Sequence, residues 1–186
     1  MPAWLEKLFK RGEPSSVGVA DRPGSRLLAV ANGAEAIGEK FRQRFARHGL
    51  ARERIQLHEF KSFGHYLAMH NEVDIVLDTH PYTGGTTTCH ALWMGVPVVT
   101  MTGTTATSRG GASVLAAVGL SELVADSAED YVTIAAQLAG DLPRLARLRA
   151  GLRQRARASP LCDAAGFTRD LEAIYRTMWK KWCAKP

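Results

Sequence analysis

The sequence predicts an α/β fold, a Rossmann-like parallel sheet with helices on both faces, followed by a run of C-terminal helices. Three observations carry that prediction. Apolar segments such as Asp74-Ile75-Val76-Leu77-Asp78 and Pro97-Val98-Val99-Thr100-Met101 are continuous rather than alternating, as strands buried on both faces are. Helical patterns of about ten residues separate the strand candidates, which suits the crossover that parallel strands require. From Ala128 onward the strand signal stops and helical periodicity alone remains.

Taken in order, Trp4, Leu5, Leu8 and Phe9 fit a short helix, and Gly12 to Gly24 is rich in Gly, Pro and Ser. Residues 1–24 therefore read as an N-terminal helix and flexible linker, and 25–186 as one domain. Arg26 to Ala31 is a strand candidate, Glu35 to His48 a helix, and Arg54 to Phe60 a second strand. A short helix at Phe63 to Asn71 leads into the strand at Asp74. Thr86, Thr87 and Thr88 are candidate caps for a helix whose apolar run is Ala91 to Gly95. Pro97 to Met101 is another buried strand, and Ser108 to Val118 another helix. Asp130 to Leu138, Leu142 to Ala158 and Phe167 to Trp182 complete the chain. In the last, Phe167, Leu171, Ile174, Met178 and Trp182 are spaced by 4, 3, 4 and 4 residues, one apolar stripe suited to core packing or to packing on a second lobe.

With 186 residues, 46% apolar and 23% charged, the chain has the length and composition of a single globular domain. No apolar run approaches the roughly 20 residues that span a bilayer, and Met1 to Arg11 lacks the continuous apolar core of a secretory signal. No membrane association is expected. Cys89, Cys162 and Cys183 are an odd set without a C-x-x-C or a histidine pair at metal spacing, so neither a disulfide framework nor a metal site is expected. That usage suits a reducing cytoplasm. The net charge of +6 is concentrated in Arg144, Arg147, Arg149, Arg153, Arg155 and Arg157. Leu142, Leu145, Leu148 and Leu152 recur at helical spacing among them, which makes the arginines a solvated face rather than a nucleic-acid patch.

The segment from Leu77 to Thr88, LDTHPYTGGTTT, is the candidate site. It reads as a strand end, a glycine turn and a helix start, the place where open α/β sheets hold nucleotide phosphates. Gly84 and Gly85 have access to positive φ and let a ligand approach the backbone. Threonine hydroxyls and unpaired N–H groups would then meet a diphosphate. An ordinary β-to-α turn carries equal weight on spacing alone. Neither G-x-G-x-x-G nor G-x-x-x-x-G-K-[ST] is present.

Three consecutive blocks narrow the reading: Val73 to Thr79, Pro81 to Cys89 and Ala91 to Thr100. Ala106-Thr107-Ser108-Arg109 with Ala112-Ser113, then Ser159-Pro160-Leu161, then Tyr175 to Trp179, continue the pattern. Together they resemble the donor-binding half of the O-linked N-acetylglucosamine transferase family, which includes the SPINDLY-type transferases (glycosyltransferase family 41). The resemblance covers residues 54 to 182, and 25 to 53 more weakly. It implies the C-terminal lobe of a two-lobed GT-B enzyme that moves N-acetylglucosamine from UDP-GlcNAc to protein Ser/Thr. A GDP-fucose-dependent lobe and a non-catalytic nucleotide-sugar-binding module are the alternatives.

By resemblance, Thr86 and Thr87 contact the donor diphosphate, flanked by Gly84 and Thr88. Gly85 stands where the animal enzymes carry a histidine, and His90 where they carry an aspartate directed toward the ribose. Lys61, with His65 or Tyr66, corresponds to the residues placed against ribose and base. No catalytic residue is assigned: the family's leaving-group lysine precedes the matched region, and neither Lys7 nor Lys10 matches it. The implied partners are the nucleotide sugar, an N-terminal catalytic lobe and a tetratricopeptide-repeat protein. An apolar face near Trp4, Phe9, Trp179 and Trp182, suited to the other lobe, implies a tendency to self-associate. No metal is implied.

Overall fold

The computed structural model describes residues 24–30, 35–59 and 61–184. The N-terminal helix and linker expected over 1–24 therefore lie almost wholly outside the described residues, and with them Trp4 and Phe9.

Parallel strand–helix alternation begins with β1 (Leu27–Val30), α1 (Glu35–Ala46) and β2 (Ile55–His58), β1 and β2 pairing in parallel with Leu27 opposite Ile55. Gly38 on α1 is buried, and a Cβ there would come within 2.8 Å of the Leu57 side chain, so the helix packs closely on β2. Arg54 holds the start of β1 by donating to the Ser25 carbonyl at 2.7 Å and to the Ser25 hydroxyl.

The second sheet carries the site. Its strands β3 (Val76–Leu77), β4 (Val98–Met101) and β5 (Val124–Ala125) lie side by side in that order, all parallel. The Val76 N–H to Pro97 carbonyl and Asp78 N–H to Val99 carbonyl bonds, both 2.9 Å, carry the β3–β4 ladder to Asp78. All four β4 residues are buried although successive side chains point to opposite faces, so both faces are covered, as the continuous apolar run predicts.

The covering helices are α3 (Thr86–Trp93), α4 (Gly110–Ala117) and α5 (Ala128–Gly140), all packed on β4. Behind them α6 (Leu142–Arg157) lies against α3 and α5. Gly95 at φ +81° and Gly119 at φ +69° end α3 and α4 in left-handed caps. The next N–H groups, of Val96 and Leu120, return to the Ala91 and Leu115 carbonyls at 2.8 Å, and both side chains are fully buried. One core joins the two sheets, running from Phe45 and Ile55 through Val98, Leu115 and Leu123 to Tyr131, Leu138 and Leu152.

Two elements depart from expectation. β5 has no counterpart in the sequence reading: Val124 and Ala125 form a strand because the free edge of β4 pairs with them, as does the Thr102 N–H to Ala125 carbonyl bond of 2.9 Å. The last helix, α7 (Ala164–Cys183), has the anticipated stripe but leaves most of it exposed, which sets aside the first of the two packings expected for it, the core. Phe167, Ile174, Met178 and Trp182 are each more than half exposed, so the stripe is not part of this core.

Candidate functional site

The carboxyl ends of β3 and β4 feed two loops, 78–85 and 102–109, that are hydrogen-bonded together at the edge of the sheet. Thr83 is the clasp. Its N–H and hydroxyl both donate to the Thr107 carbonyl, at 3.2 and 2.8 Å, and its oxygen accepts the Gly111 N–H at 3.1 Å. Nearby, the His80 Nδ1 lies 3.3 Å from the Met101 carbonyl, and the Thr79 hydroxyl donates to the Tyr82 carbonyl at 2.6 Å. The 102–109 loop is closed by Thr105 and Ser108, whose hydroxyls each accept the other's N–H in a capping box.

Asp78 stands at the foot of the first loop, with its side chain buried. Its Oδ1 accepts the N–H groups of Thr79 at 2.9 Å and Gly84 at 2.8 Å, and its Oδ2 accepts the Thr100 hydroxyl at 2.8 Å. Its carbonyl receives the Tyr131 hydroxyl from α5 at 2.9 Å. Burial, with the Asp78 charge as a smaller cause, pushes the Tyr131 hydroxyl well above its ordinary pKa and keeps it a neutral donor.

Helix α3 starts immediately after this loop, and the threonines do not cap it as expected. Gly85 is the N-cap, without a side-chain hydrogen bond, and Thr86, Thr87 and Thr88 form the first turn. By contrast α2 (Phe63–Met69), α5, α6 and α7 are capped by Ser62, Ser127, Asp141 and Asp163. The first-turn N–H groups of α3 are thus left to solvent or ligand at the positive end of the helix. Thr86 and Thr87 are exposed, while Thr88 is buried and faces inward.

The glycines serve this turn through space rather than through φ. Neither Gly84 nor Gly85 is among the positive-φ glycines, and Gly85 has φ −113°. A Cβ on Gly84 would lie 2.5 Å from the Thr88 hydroxyl and 2.7 Å from the Thr87 hydroxyl, whereas Gly85 has nothing within 4 Å. Gly84 permits the close turn; Gly85 leaves the approach open.

His90 follows Thr86 by one helical turn and shares its face. Its ring centroid is 5.3 Å from that of Phe63 and 5.7 Å from that of Tyr66, both edge-on, and Tyr66 also meets His70 at 5.0 Å. The His90 Nδ1 is buried without a hydrogen-bond partner among the described residues. Burial raises the Tyr66 pKa, keeping its phenol neutral. Of the two rings offered for a base face, Tyr66 joins His90 and Phe63 in this cluster, whereas His65 makes no ring contact among the described residues. Lys61 is exposed in the loop before α2. The sequence singles out residues 84–90 as the candidate site; Asp78, Thr83 and Tyr131, which the structure joins to the same turn by hydrogen bonds, are not assigned any part in it. A carboxylate ending an apolar strand just before a glycine pair was the available signal for Asp78, and nothing marked Tyr131.

Among the described residues no three His, Cys, Asp or Glu side chains gather as a metal site, and no helix is long and apolar enough to cross a membrane.

Comparison with known proteins gives a consistent result. The model of glycosyl transferase family 41 matches residues 27–171. A Petunia hybrida protein named as a probable UDP-N-acetylglucosamine–peptide N-acetylglucosaminyltransferase SPINDLY is 42% identical over 164 residues, 87% of this chain and 18% of that protein. The Caenorhabditis elegans UDP-N-acetylglucosamine–peptide N-acetylglucosaminyltransferase is 33% identical over 144 residues, 77% of this chain and 12% of its own length. Among solved structures, a mutant of the Thermobaculum terrenum O-GlcNAc transferase superposes with a TM-score of 0.79 at 41% identity, covering 85% of this chain and 31% of that one. The chain thus spans less than a fifth of the length of these curated relatives.

Proposed function

Because this chain belongs to glycosyltransferase family 41, we propose that it is the donor-binding lobe of a protein O-glycosyltransferase that transfers N-acetylglucosamine from UDP-GlcNAc to protein Ser/Thr. The observation that carries the reading is the uncapped N-terminus of α3, with Thr86 and Thr87 exposed beside the open Gly85 approach. N–H groups and hydroxyls at the positive end of a helix are complementary to a diphosphate, so the reading asks no metal of this lobe. Tyr66, Phe63 and His90 would cover the nucleoside, and Lys61 would add positive charge at the rim.

The names of the relatives support UDP-GlcNAc as donor. GDP-fucose is the second reading, favoured by His90: a neutral imidazole cannot act as the acceptor-only carboxylate that the resemblance places there. In both readings the acceptor hydroxyl and its proton path are supplied by a second lobe, from the rest of the polypeptide or from a partner chain, and the bare stripe of α7 is the face offered to it. The three free cysteines suit a cytoplasmic setting.

Calorimetric titration with UDP, UDP-GlcNAc, GDP and GDP-fucose tests the proposal. Saturable binding of the UDP pair is expected. Binding of the GDP pair instead reassigns the donor, and binding of none overturns the donor-lobe reading in favour of a non-catalytic module.

A further inference from the structure

We propose that Asp78 is a positioning residue for the donor diphosphate, its buried carboxylate holding the Gly84–Gly85 turn so that the first turn of α3 is aimed before the ligand arrives. The inference rests on the donor-site reading above and adds to it a residue that the ligand itself does not touch.

The geometry is that of a splint. One oxygen, Oδ1, takes the N–H groups at both ends of the 79–84 loop, Thr79 at 2.9 Å and Gly84 at 2.8 Å, so the loop is closed at its base through a single atom. The other oxygen is fixed to the sheet, because Thr100 on β4 is fully buried and donates its hydroxyl to Oδ2 at 2.8 Å. All three contacts are donors directed at the carboxylate, the pattern that an acceptor-only group satisfies. Two glycines make room for it. A Cβ on Gly111 would come within 2.4 Å of Oδ2, and one on Gly84 within 3.2 Å of Oδ1. At 7% exposure Asp78 is beneath the site rather than in it, and so acts through the turn.

An anion site built from N–H groups is effective only if those groups are already oriented; otherwise binding must also order them. At α3 no side-chain cap does this, and Gly85 is conformationally permissive. The Asp78 to Gly84 bond is therefore the restraint nearest the helix start. Losing it loosens the diphosphate subsite specifically. The nucleoside-side cluster lies a turn further along α3, where His90 packs against Phe63 and Tyr66 of α2, so it is held by that ring packing as well and depends less on the splint.

The test compares UDP, by calorimetry, with uridine, by NMR titration, in the full chain and in D78A, D78N and T100V, alongside thermal midpoints. D78A is expected to bind UDP at least tenfold more weakly than wild type while its uridine affinity stays within threefold. D78N keeps an oxygen for the two N–H groups and is expected to retain UDP binding within about threefold. T100V, which removes only the Oδ2 anchor, is expected to weaken UDP severalfold and uridine not at all, and it carries the test if D78A does not fold. A purely structural role for Asp78 predicts lower midpoints with the UDP-to-uridine ratio unchanged, and that result overturns the proposal. If the wild type binds GDP in place of UDP, the same comparison is made with GDP and guanosine; wild type that binds neither diphosphate overturns the donor-site reading itself, whereas wild-type binding with an unchanged ratio in the variants removes only the role of Asp78.

Discussion

Thr86 and Thr87 are the residues on which the proposed diphosphate contact depends most directly. Both are exposed, and neither hydroxyl contributes to the core, so valine at both positions should leave the thermal midpoint unchanged. The same double substitution is expected to weaken UDP binding by about 1–3 kcal/mol, measured by calorimetry, since hydroxyl-to-phosphate bonds are charge-assisted. Tyr131 makes a second prediction. Its folded pKa is raised well above the usual value of 10.0, chiefly by burial. For an acid that is neutral when protonated, this stabilisation is fully present below pH about 10 and is lost as the pH rises from there toward the folded pKa. Denaturant midpoints should therefore fall above pH about 10, and less steeply in Y131F. At neutral pH, Y131F should lose about 1 kcal/mol with the bond to the Asp78 carbonyl.

Helix α6 shows how one charged element serves two purposes. Of the four leucines at helical spacing, Leu145 and Leu152 are buried and Leu148 packs against the core, as the spacing anticipates, whereas Leu142 at the helix start is 68% exposed. The arginines do not form one uniform solvated face. Arg149 donates to the Val73 carbonyl at 2.5 Å, and Arg153 donates to the Trp93 carbonyl at 2.7 Å while its guanidinium lies 5.7 Å from the Trp93 ring centroid. Both pin α6 over the strand and helix that bear the site. Arg147 and Arg155 are exposed. In urea denaturation R149A should cost about 1.5–3 kcal/mol, because a charged donor is lost from a half-buried carbonyl. R147A and R155A should each change stability by less than about 0.5 kcal/mol. Equal effects from all three would mean that helix position, not these bonds, governs the energetics. The six-arginine run looks uniform in sequence because the carbonyls of Val73 and Trp93 that divide it belong to distant elements.

On the scale of the whole molecule, α7 is the outlier. Phe167, Tyr175, Trp179 and Trp182 are between 60% and 67% exposed on a helix of 20 residues, a larger apolar surface than a self-contained domain ordinarily presents. Tyr175 and Trp179 lie outside the core, so Y175S/W179S should move the thermal midpoint by no more than about 2–4 °C, given that uncoupled surface changes each shift stability by less than about 0.5 kcal/mol. Sedimentation velocity should show concentration-dependent self-association of the wild-type chain that the double variant reduces. An unchanged sedimentation profile, with the wild type already monomeric at high concentration, would sink the idea that this face seeks a cover.

The sequence by itself determined the parallel α/β class, the order of every strand and helix named from Arg26 to Trp182 except β5, the family, and the glycine–threonine turn as the candidate site. Those are local properties: apolar runs such as Val98 to Met101 and leucine spacing in α6 depend on residues close together in the chain. Tertiary structure alone decided that Val124 and Ala125 would be a strand, since two residues carry no period and become a strand only by pairing with the open edge of β4. It also decided that Gly85 rather than a threonine caps α3, and that the stripe of α7 lies outside the core. The carboxylate of Asp78 gathers donors from positions 79, 84 and 100, and its carbonyl one from 131. Hydrogen bonds that join positions so far apart leave no periodic trace in sequence, because the distances that define them exist only once the sheet has brought those segments together.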